Sequence, residues 1–333
     1  MKLPMTDERL RGLVSGIWIE TPYCTQIIFR LHQWLSASRA GVRVSGLLVG
    51  ESGTGKSELL KTFLKLHPET RTKEGISRPV LFVEVPHHPT AISILEAILN
   101  RLDDPHPYAG SRSKKMARLH KLIAEQGVVM TILDDLQHMV DKNQQFVLYD
   151  ASECLKEIMI SSPISIIGSG LEDAAKVIKS NEQLKRRYAA GMHLPRFDWF
   201  ETESQDIFLG VLQAFRRTLS MFQMPNLASA DVGLRMYLSS GGLMDFVAKI
   251  LQQAVWNALD AKTWKISLDD LADARDLALF DTEPLEVNPL RSEFTMRRNK
   301  VDELVKQAKK INQRVVRPIP KRAMRGCLDQ IGL

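Results

Sequence analysis

Two kinds of apolar pattern alternate along the first part of the chain. Short runs of consecutive apolar residues, typical of strands buried on both faces, cover residues 42–49, 80–85, 128–133 and 163–168. Apolar residues at three- and four-residue spacing, typical of amphipathic helices, cover residues 58–66, 91–102 and 114–126. Strands that alternate with helices predict a parallel α/β sheet with helices on both faces.

Helical patterns alone flank this region on both sides. Residues 6–40 are predicted to be helical, because Ile27, Ile28, Leu31 and Leu35 recur at helical spacing. Strand patterns end near residue 203, and the helices predicted after it cover residues 206–221, 230–239, 243–259 and 268–278. We therefore predict four regions: a helical lead-in over 1–40, the α/β domain over 41–202, a small helical lid over 203–280, and a linker with a C-terminal tail over 281–333.

A glycine-rich loop joins the first predicted strand to the helix after it. It matches the phosphate-loop pattern Gly-x-x-x-x-Gly-Lys-[Ser/Thr], and the predicted nucleotide-binding residues are Gly50, Glu51, Ser52, Gly53, Thr54, Gly55, Lys56, Ser57 and Glu58. Backbone N–H groups and the positive end of a helix dipole hold phosphate in such loops. Lys56 is predicted to reach the β- and γ-phosphates of ATP, and Ser57 to bind a magnesium ion. A chance match in a structural turn is the alternative, which the position between strand and helix disfavours.

Polar residues also end two later strands. Asp134 follows an apolar run, where its carboxylate can hold magnesium, and Asp135 can polarise the water that attacks the γ-phosphate. Ser169 ends the next strand and is predicted to sense the γ-phosphate. The structural alternative for all three residues is a helix cap.

Two consecutive arginines precede the predicted lid. Arg186 and Arg187 are candidates for an arginine finger that reaches a nucleotide in a neighbouring subunit. A solvated helix face is the alternative.

Charge is concentrated near the C-terminus. The 333-residue chain has a net charge of +6, whereas residues 291–325 contain 12 Lys or Arg against 3 Asp or Glu, a balance of +9 that leaves −3 for the rest. Such a tail favours a polyanion or an acidic partner surface, or is simply solvated.

The sequence carries signals of neither membrane insertion nor disulfide formation. The longest central apolar stretch, 127–133, is far below the roughly 20 residues of a membrane-spanning helix. The first residues lack the apolar region of a signal peptide, so we expect a cytoplasmic protein without membrane contact. The 3 cysteines form no Cys-x-x-Cys pair, and we expect reduced packing thiols.

A basic cluster precedes the strand that ends in Asp134. The predicted DNA-binding residues are Arg112, Lys114, Lys115, Arg118 and Lys121, with a second basic group in the tail at Arg297, Arg298, Lys300, Lys309 and Lys310. Neither group has interleaved aromatic residues or a base-reading motif. We therefore expect weakly sequence-specific contacts with the backbone of double-stranded DNA.

These motifs together resemble AAA+ ATPases of the initiator clade, and more narrowly the TnsC and TniB regulators of transposition. The segment 133–139, Leu-Asp-Asp-Leu-Gln-His-Met, is similar to that family's Asp-Glu-x-Gln-His Walker B segment. The segment 166–170, Ile-Ile-Gly-Ser-Gly, resembles its Ile-Gly-Thr-Pro strand end, and 288–290, Asn-Pro-Leu, resembles its Asn-Pro-Phe. The length and short N-terminus are most similar to the compact TnsC of CRISPR-associated transposons.

The resemblance implies a P-loop AAA+ ATPase that uses ATP and magnesium. Such proteins form rings or filaments around double-stranded DNA, link target-selection proteins to the transposase, and are reset by hydrolysis. Asp135 stands where the family usually has glutamate, Ser169 where it has threonine, and the segment 241–245 lacks a sensor-two arginine. A replication initiator or helicase loader, or a signalling NTPase that binds only protein, remains as an alternative.

Overall fold

A computed structural model describes residues 7–73, 75–87, 89–140, 145–189, 191–279, 285 and 287–312. Its first part contains the helices α1 (Asp7–Arg11), α2 (Pro22–Arg39), α3 (Lys56–Lys65), α4 (Ala91–Arg101), α5 (Arg112–Glu125), α6 (Gln145–Ser161), α7 (Ala175–Lys179) and α8 (Glu182–Lys185). The strands are β1 (Gly46–Val49), β2 (Thr70–Thr72), β3 (Gly75–Ser77), β4 (Val80–Glu84), β5 (Met130–Asp134), β6 (Ser165–Gly170) and β7 (Met192–His193). Five helices follow: α9 (Thr202–Thr218), α10 (Ala230–Ser240), α11 (Met244–Asp260), α12 (Leu268–Ala278) and α13 (Val301–Ala308).

Five parallel strands form the central sheet, in the order β4-β5-β6-β1-β7. Side chains alternate between its two faces, so Leu48, Ile132 and Ile167 pack with α2 and α3. Leu47, Leu133 and Ile166 pack on the opposite face with α4, α5 and α6. The predicted α/β class, a parallel sheet covered on both faces, is confirmed.

One close contact fixes helix α2 against this sheet. A Cβ atom at Gly46 would lie 2.1 Å from the Trp34 ring, so only glycine lets the indole reach β1. Ser38 at the end of the same helix shares a 2.5 Å hydrogen bond with Ser165 of β6. The second half of the predicted lead-in is therefore part of the α/β core.

The first half of the lead-in packs elsewhere. The backbone carbonyl of Arg11 accepts hydrogen bonds from Gln252 Nε2 at 2.6 Å and from Trp256 Nε1 at 2.8 Å, both on α11. Val14 is buried in the core of the C-terminal helices. The helical prediction over 6–40 thus becomes two α-helices joined by a connection that contains the short 3-10 helix Val14–Gly16, and the two α-helices contact different parts of the molecule.

The C-terminal helices share one apolar core. Phe208, Tyr237 and Ile250 are buried in it, and so are Val305 and Ile311 from the region predicted as linker and C-terminal tail. Arg235 on α10 fixes the intervening segment, since its guanidinium donates to the carbonyls of Pro289 at 2.8 Å, Arg291 at 3.0 Å and Phe294 at 3.0 Å. The basic residues at 314–325 lie outside the described residues.

The structure differs from the predicted elements in further respects. The antiparallel pair β2–β3 and the two-residue β7 have no predicted counterpart, because strands of two or three residues are too short to show a period. Helix α6 was also absent from the predicted elements. Cys24 and Cys154 are buried free thiols, and burial raises the pKa of Cys154 to about 12. None of the helices in the described part of the chain is long and apolar enough to cross a membrane.

Replacement of Arg235 by alanine is expected to lower the free energy of unfolding by about 2–4 kcal/mol, because three carbonyls lose a charged donor. Urea-induced unfolding measures this. Arg39→Ala, which removes an exposed arginine from α2, is the control and should cost less than about 0.5 kcal/mol. Equal losses in the two variants would contradict the role of Arg235 as a clamp.

Candidate nucleotide-binding site

The glycine-rich loop has the backbone conformation that phosphate binding requires. Gly53 and Gly55 have φ values of +83° and +100°, in the left-handed region that favours glycine. At Gly50 a Cβ atom would lie 2.4 Å from the carbonyl oxygen of Leu194, which follows β7. Three glycines of the motif are thus explained by backbone geometry, and α3 begins directly at Lys56.

Lys56 is buried and held inside the loop. Its Nζ atom donates to the carbonyl oxygens of Gly50 at 2.9 Å and Glu51 at 2.8 Å. Burial lowers the pKa of Lys56, an effect that the nearby charges of Asp134, Asp135 and Glu51 oppose. A bound phosphate would add further negative charge beside the ammonium group and favour its charged form.

Ser57 and Asp134 form the pair that fits a magnesium ion. Ser57 Oγ donates to Asp134 Oδ2 at 2.7 Å, and Asp134 is 3% exposed. A hydroxyl and a carboxylate are hard oxygen ligands, and magnesium usually adds phosphate oxygens and water to so few protein ligands. These two residues would hold the ion, which supplies charge neutralisation at the phosphates.

Asp135 has an uncommon backbone conformation beside this pair. Its φ and ψ values are 57° and 39°, a left-handed conformation that aspartate and asparagine tolerate better than most residues. Gln137 Nε2 donates to Asp135 Oδ1 at 2.8 Å, while Gln137 Oε1 accepts from the backbone N–H of Leu171 at 3.0 Å. Gln137 therefore orients the carboxylate and ties it to the end of β6.

Ser169 lies within β6, between the strands that carry the other site residues. It pairs in register with Leu48 of β1, and its neighbour Gly168 pairs with Leu133 of β5. Its hydroxyl is fully buried and has no hydrogen-bond partner among the described residues. A helix cap is excluded for Ser169, because it sits inside a strand rather than at a helix start.

A cavity of about 890 Å³ opens from the phosphate loop toward the N-terminal segment and the lid. Its apolar lining includes Ile17, Trp18, Tyr23, Met244 and Ala248. Such a lining suits the base and sugar of a nucleotide next to a loop that suits its phosphates. These residues were not predicted from sequence, since Trp18 and Tyr23 are far from the motif in the chain and carry no signal of their own.

The lid contacts the phosphate loop at the start of α11. The backbone N–H of Asp245 donates to the carbonyl of Gly53 at 3.0 Å, and Asp245 Oδ2 pairs with Lys249 Nζ at 2.7 Å. Lys249 also lines the cavity. The segment 241–245 lacks a sensor-two arginine. In its place, the carboxylate of Asp245 lies against the loop, and Lys249 follows one helical turn later.

Arg196 connects the loop to the C-terminal region. Its Nε donates to Glu51 Oε1 at 3.0 Å, its Nη2 contacts the second carboxylate oxygen, and its Nη1 donates to the carbonyl of Gly241 at 3.1 Å. Further bonds reach the carbonyls of Lys309 at 3.0 Å and Ile311 at 3.0 Å, at the end of α13. Glu51, predicted as a nucleotide-binding residue of the loop, therefore also connects the loop to the C-terminal region through Arg196. The sequence motifs did not indicate this contact.

The two candidate finger residues lie outside this cavity. Arg186 and Arg187 directly follow α8, are exposed, and have no side-chain partner among the described residues. They do not contribute to the lining of their own subunit's cavity, which leaves them available to a neighbour.

The predicted DNA cluster on α5 is largely engaged within the chain. Lys115 is 2% exposed and pairs with Glu96 at 3.0 Å, so its predicted role as a DNA contact is corrected. Arg118 pairs with the buried Asp104 at 2.7 Å, and Arg112 pairs with Asp150 at 3.2 Å and Glu157 at 2.9 Å. Neutralised or buried cations attract phosphate poorly, because their charge is already compensated.

Two lysines of this cluster remain accessible. Lys114 is exposed with no side-chain partner among the described residues, and Lys121 is exposed with only a 3.8 Å contact to Glu125. The accessible part of the predicted surface is therefore confined to Lys114 and Lys121.

Comparison with known proteins adds a family and a fold. The model of the family described as bacterial TniB protein matches residues 9–199, a span that contains the phosphate loop, Asp134, Asp135 and Ser169. The sequence matches no curated protein.

Solved structures share the arrangement of elements. Cdc6p from Pyrobaculum aerophilum superposes with a TM-score of 0.61 at 16% identity, covering 82% of this chain and 72% of that one. ORC2 from Aeropyrum pernix, solved as ADPNP and ADP complexes, gives 0.60 at 15% identity, with 96% and 89% covered. ORC1 from the same organism, in complex with DNA, gives 0.58 at 15% identity, with 96% and 86% covered. At these identities the likeness shows a common fold, that of AAA+ ATPases.

Asp135→Asn is expected to leave ATP binding intact and to slow hydrolysis by about 10²-fold or more, because the amide keeps the size and tolerates the left-handed backbone but loses the charge. Single-turnover hydrolysis and equilibrium nucleotide binding measure the two effects. Lys56→Ala, as the control, should lose binding itself. Unchanged hydrolysis in Asp135→Asn would reduce Asp135 to a structural residue.

Proposed function

We propose that this chain, which belongs to the TniB family, is an ATP-dependent regulator of DNA transposition that links target-selection proteins to a transposase. The match of the family model to 9–199 carries this proposal, since that span includes the phosphate loop, Asp134, Asp135 and Ser169. Family and fold together make the chain an AAA+ ATPase.

Nucleotide binding would use the residues around the loop in distinct roles. Backbone N–H groups of the loop and Lys56 bind the phosphates, and Ser57 and Asp134 hold magnesium. Asp135 orients a water molecule and accepts its proton, and Ser169 supplies a buried hydroxyl at the same sheet edge. The hydrogen bond from Ser57 to Asp134, the contact of Gln137 with Asp135 and the burial of Ser169 support these roles.

ATP is proposed to control assembly through the arginines after α8. Arg186 or Arg187 would approach the nucleotide of a neighbouring subunit and stabilise the charge that develops on the transferred phosphoryl group. Their exposure and their absence from the cavity lining support a role between subunits. Hydrolysis would weaken this contact and destabilise the ring or filament.

Double-stranded DNA is the proposed partner of the assembled form. Repetition of the same few contacts by successive subunits would turn weak individual binding into strong total binding. Lys114 and Lys121 lie seven positions apart on one helix and therefore on one face of it, which supports a shared phosphate-binding surface.

A replication initiator is the competing function, because ORC1 of Aeropyrum pernix has the same fold and was solved with DNA. That likeness extends to fold alone at 15% identity, whereas the family match covers the site residues themselves. A strand-transfer assay that combines this chain with a transposase from the same genome separates the two. ATP-dependent stimulation of strand transfer supports the transposition role, and the absence of stimulation opposes it.

Replacement of both Arg186 and Arg187 by alanine is expected to reduce ATP hydrolysis by roughly 10³-fold and to weaken ATP-dependent assembly, while a single subunit still binds ATP. Hydrolysis assays and sedimentation with ATP measure this. Lys185→Ala, at the adjacent exposed position, is the matched control. Full activity of the double variant as a monomer would oppose the role between subunits.

Exchange of Lys114 and Lys121 for glutamine is expected to weaken ATP-dependent duplex binding and to reduce the salt slope, log K against log salt, by about 2 for each bound subunit, because each subunit loses two phosphate contacts. Fluorescence anisotropy with a labelled duplex measures both, and Lys61→Gln on α3 is the control. Normal DNA binding by this variant would show that the DNA-binding surface lies elsewhere.

A tail deletion made in parallel should begin after Asn312, because the core includes Leu290, Val305 and Ile311.

A further inference from the structure

A second cavity, of about 840 Å³, lies on the lid far from the phosphate-loop motif in sequence. It is formed by the end of α9 and the turn between α11 and α12, and its lining includes Arg216, Arg217, Met221, Lys262, Trp264 and Lys265. Hydrogen bonds join its two sides, from Gln223 N–H to the Trp264 carbonyl at 2.7 Å and from Ile266 N–H to the Gln223 carbonyl at 2.9 Å. We call this cavity the α9 pocket.

The charge of the α9 pocket is uncompensated. Four basic side chains line it and no carboxylate does. None of the four makes an ion pair or a side-chain hydrogen bond with the described part of the chain. Buried or half-buried arginines elsewhere, such as Arg78, Arg196 and Arg235, are all paired with carboxylates. An anionic group bound in the α9 pocket would therefore gain more electrostatic stabilisation than one bound beside cations that are already paired.

The α9 pocket is also apolar. Trp264 is 51% exposed and Met221 is 36% exposed, and the indole packs on Phe222 with ring centroids 5.2 Å apart. A duplex backbone offers phosphate but no apolar group to cover these side chains. An acidic protein segment that carries an aromatic or aliphatic residue satisfies both features, because aromatic, methionine and arginine side chains are typical of interface centres.

The opposite end of α9 presents such a segment. Phe200 is 48% exposed, and the exposed carboxylates of Glu201, Glu203 and Asp206 follow it without an ion pair to any described residue. The segment is fixed in place: Phe200 N–H donates to Asp198 Oδ1 at 2.9 Å, and Lys309 Nζ lies 2.6 Å from Asp198 Oδ2. We call residues 200–206 the α9 tip.

The tip cannot reach the pocket of its own chain. They stand at the two ends of a 17-residue helix, which spans about 25 Å. We infer that the α9 tip of one copy docks in the α9 pocket of the next, with Phe200 against Trp264 and Met221 and the carboxylates among the four cations. Contact between two different surfaces of identical copies is heterologous, so it propagates into a ring or a filament.

Helix electrostatics provides only part of an alternative explanation. Acidic residues at the start of α9 and arginines at its end also complement its dipole, typically by about 0.3–1 kcal/mol each. That effect does not involve Lys262 and Lys265, which belong to a different segment, and it does not account for exposed Phe200 and Trp264. Docking between copies accounts for all of these features.

One side chain in one pocket buries less area than a stable interface of about 1,200 Å² or more needs. The contact is therefore weak alone and adds to the nucleotide-dependent contact when both form. This inference rests on the proposed assembly of copies, but the contact itself does not require ATP. Subunits would consequently retain a weak head-to-tail association after hydrolysis.

Charge reversal on each side, followed by mixing, tests this inference. The tip variant Glu201→Lys, Glu203→Lys has a basic tip and a basic pocket. The pocket variant Arg217→Glu, Lys262→Glu, Lys265→Glu has an acidic tip and an acidic pocket, because only Arg216 of the four cations remains. In sedimentation velocity without nucleotide, each variant alone should self-associate more weakly than the wild type by about tenfold or more, because its tip and pocket carry charges of the same sign. An equimolar mixture should regain association, because every tip then finds a pocket of opposite charge.

The control is Glu125→Lys with Lys61→Glu, exposed charges on α5 and α3 of the α/β domain, which should associate like wild type. ATP binding is measured in every variant, so failure of the nucleotide site and failure of the α9 contact are distinguishable. Wild-type chain that stays monomeric with and without ATP overturns the inference, and so does a mixture that regains nothing. Loss of duplex binding by the pocket variant with unchanged association would assign the pocket to DNA instead.

Discussion

The parallel register of β1, β6 and β5 is the constraint from which the candidate site follows. Parallel strands end at a common edge, so the loop after β1, the hydroxyl on β6 and the carboxylates that end β5 meet there. The 2.7 Å contact between Ser57 and Asp134 spans β6, since that strand lies between β1 and β5. Gln137 adds a second connection across the same edge through Asp135 and Leu171.

Arg196 connects this edge to the C-terminal helices. A buried guanidinium needs acceptors for all of its donors, and here they come from Glu51, Gly241, Lys309 and Ile311. The loop, the end of α10 and the end of α13 are therefore held by one side chain. Gly241 permits the close approach, because a Cβ atom there would lie 2.6 Å from the Ala308 carbonyl. Asn312, at the end of the described chain, lies beside the phosphate loop, where its Nδ2 donates to the Ser52 carbonyl at 3.1 Å.

Pairing, rather than the number of basic residues, decides which surfaces can attract an anion. The cluster on α5 is dense in sequence, but Lys115, Arg118 and Arg112 are compensated by carboxylates within the chain. Arg216 and Lys265 are far apart in sequence, yet they line one cavity without a carboxylate. Two surfaces of different chemistry result: lysines on α5 suited to phosphate, and a mixed basic and apolar pocket on the lid suited to protein.

The sequence by itself determined the features that depend on local pattern. Apolar runs and helical spacing predicted the α/β class, and the fixed spacing from Gly50 to Ser57 predicted the phosphate loop, because these signals lie within a few consecutive residues. Only the tertiary structure decided which partners long side chains find. Glu96 neutralises Lys115, Glu51 binds Arg196, and Trp18 reaches the nucleotide cavity across long stretches of chain. Burial and ion pairing depend on such distant contacts, and a one-dimensional pattern does not encode them.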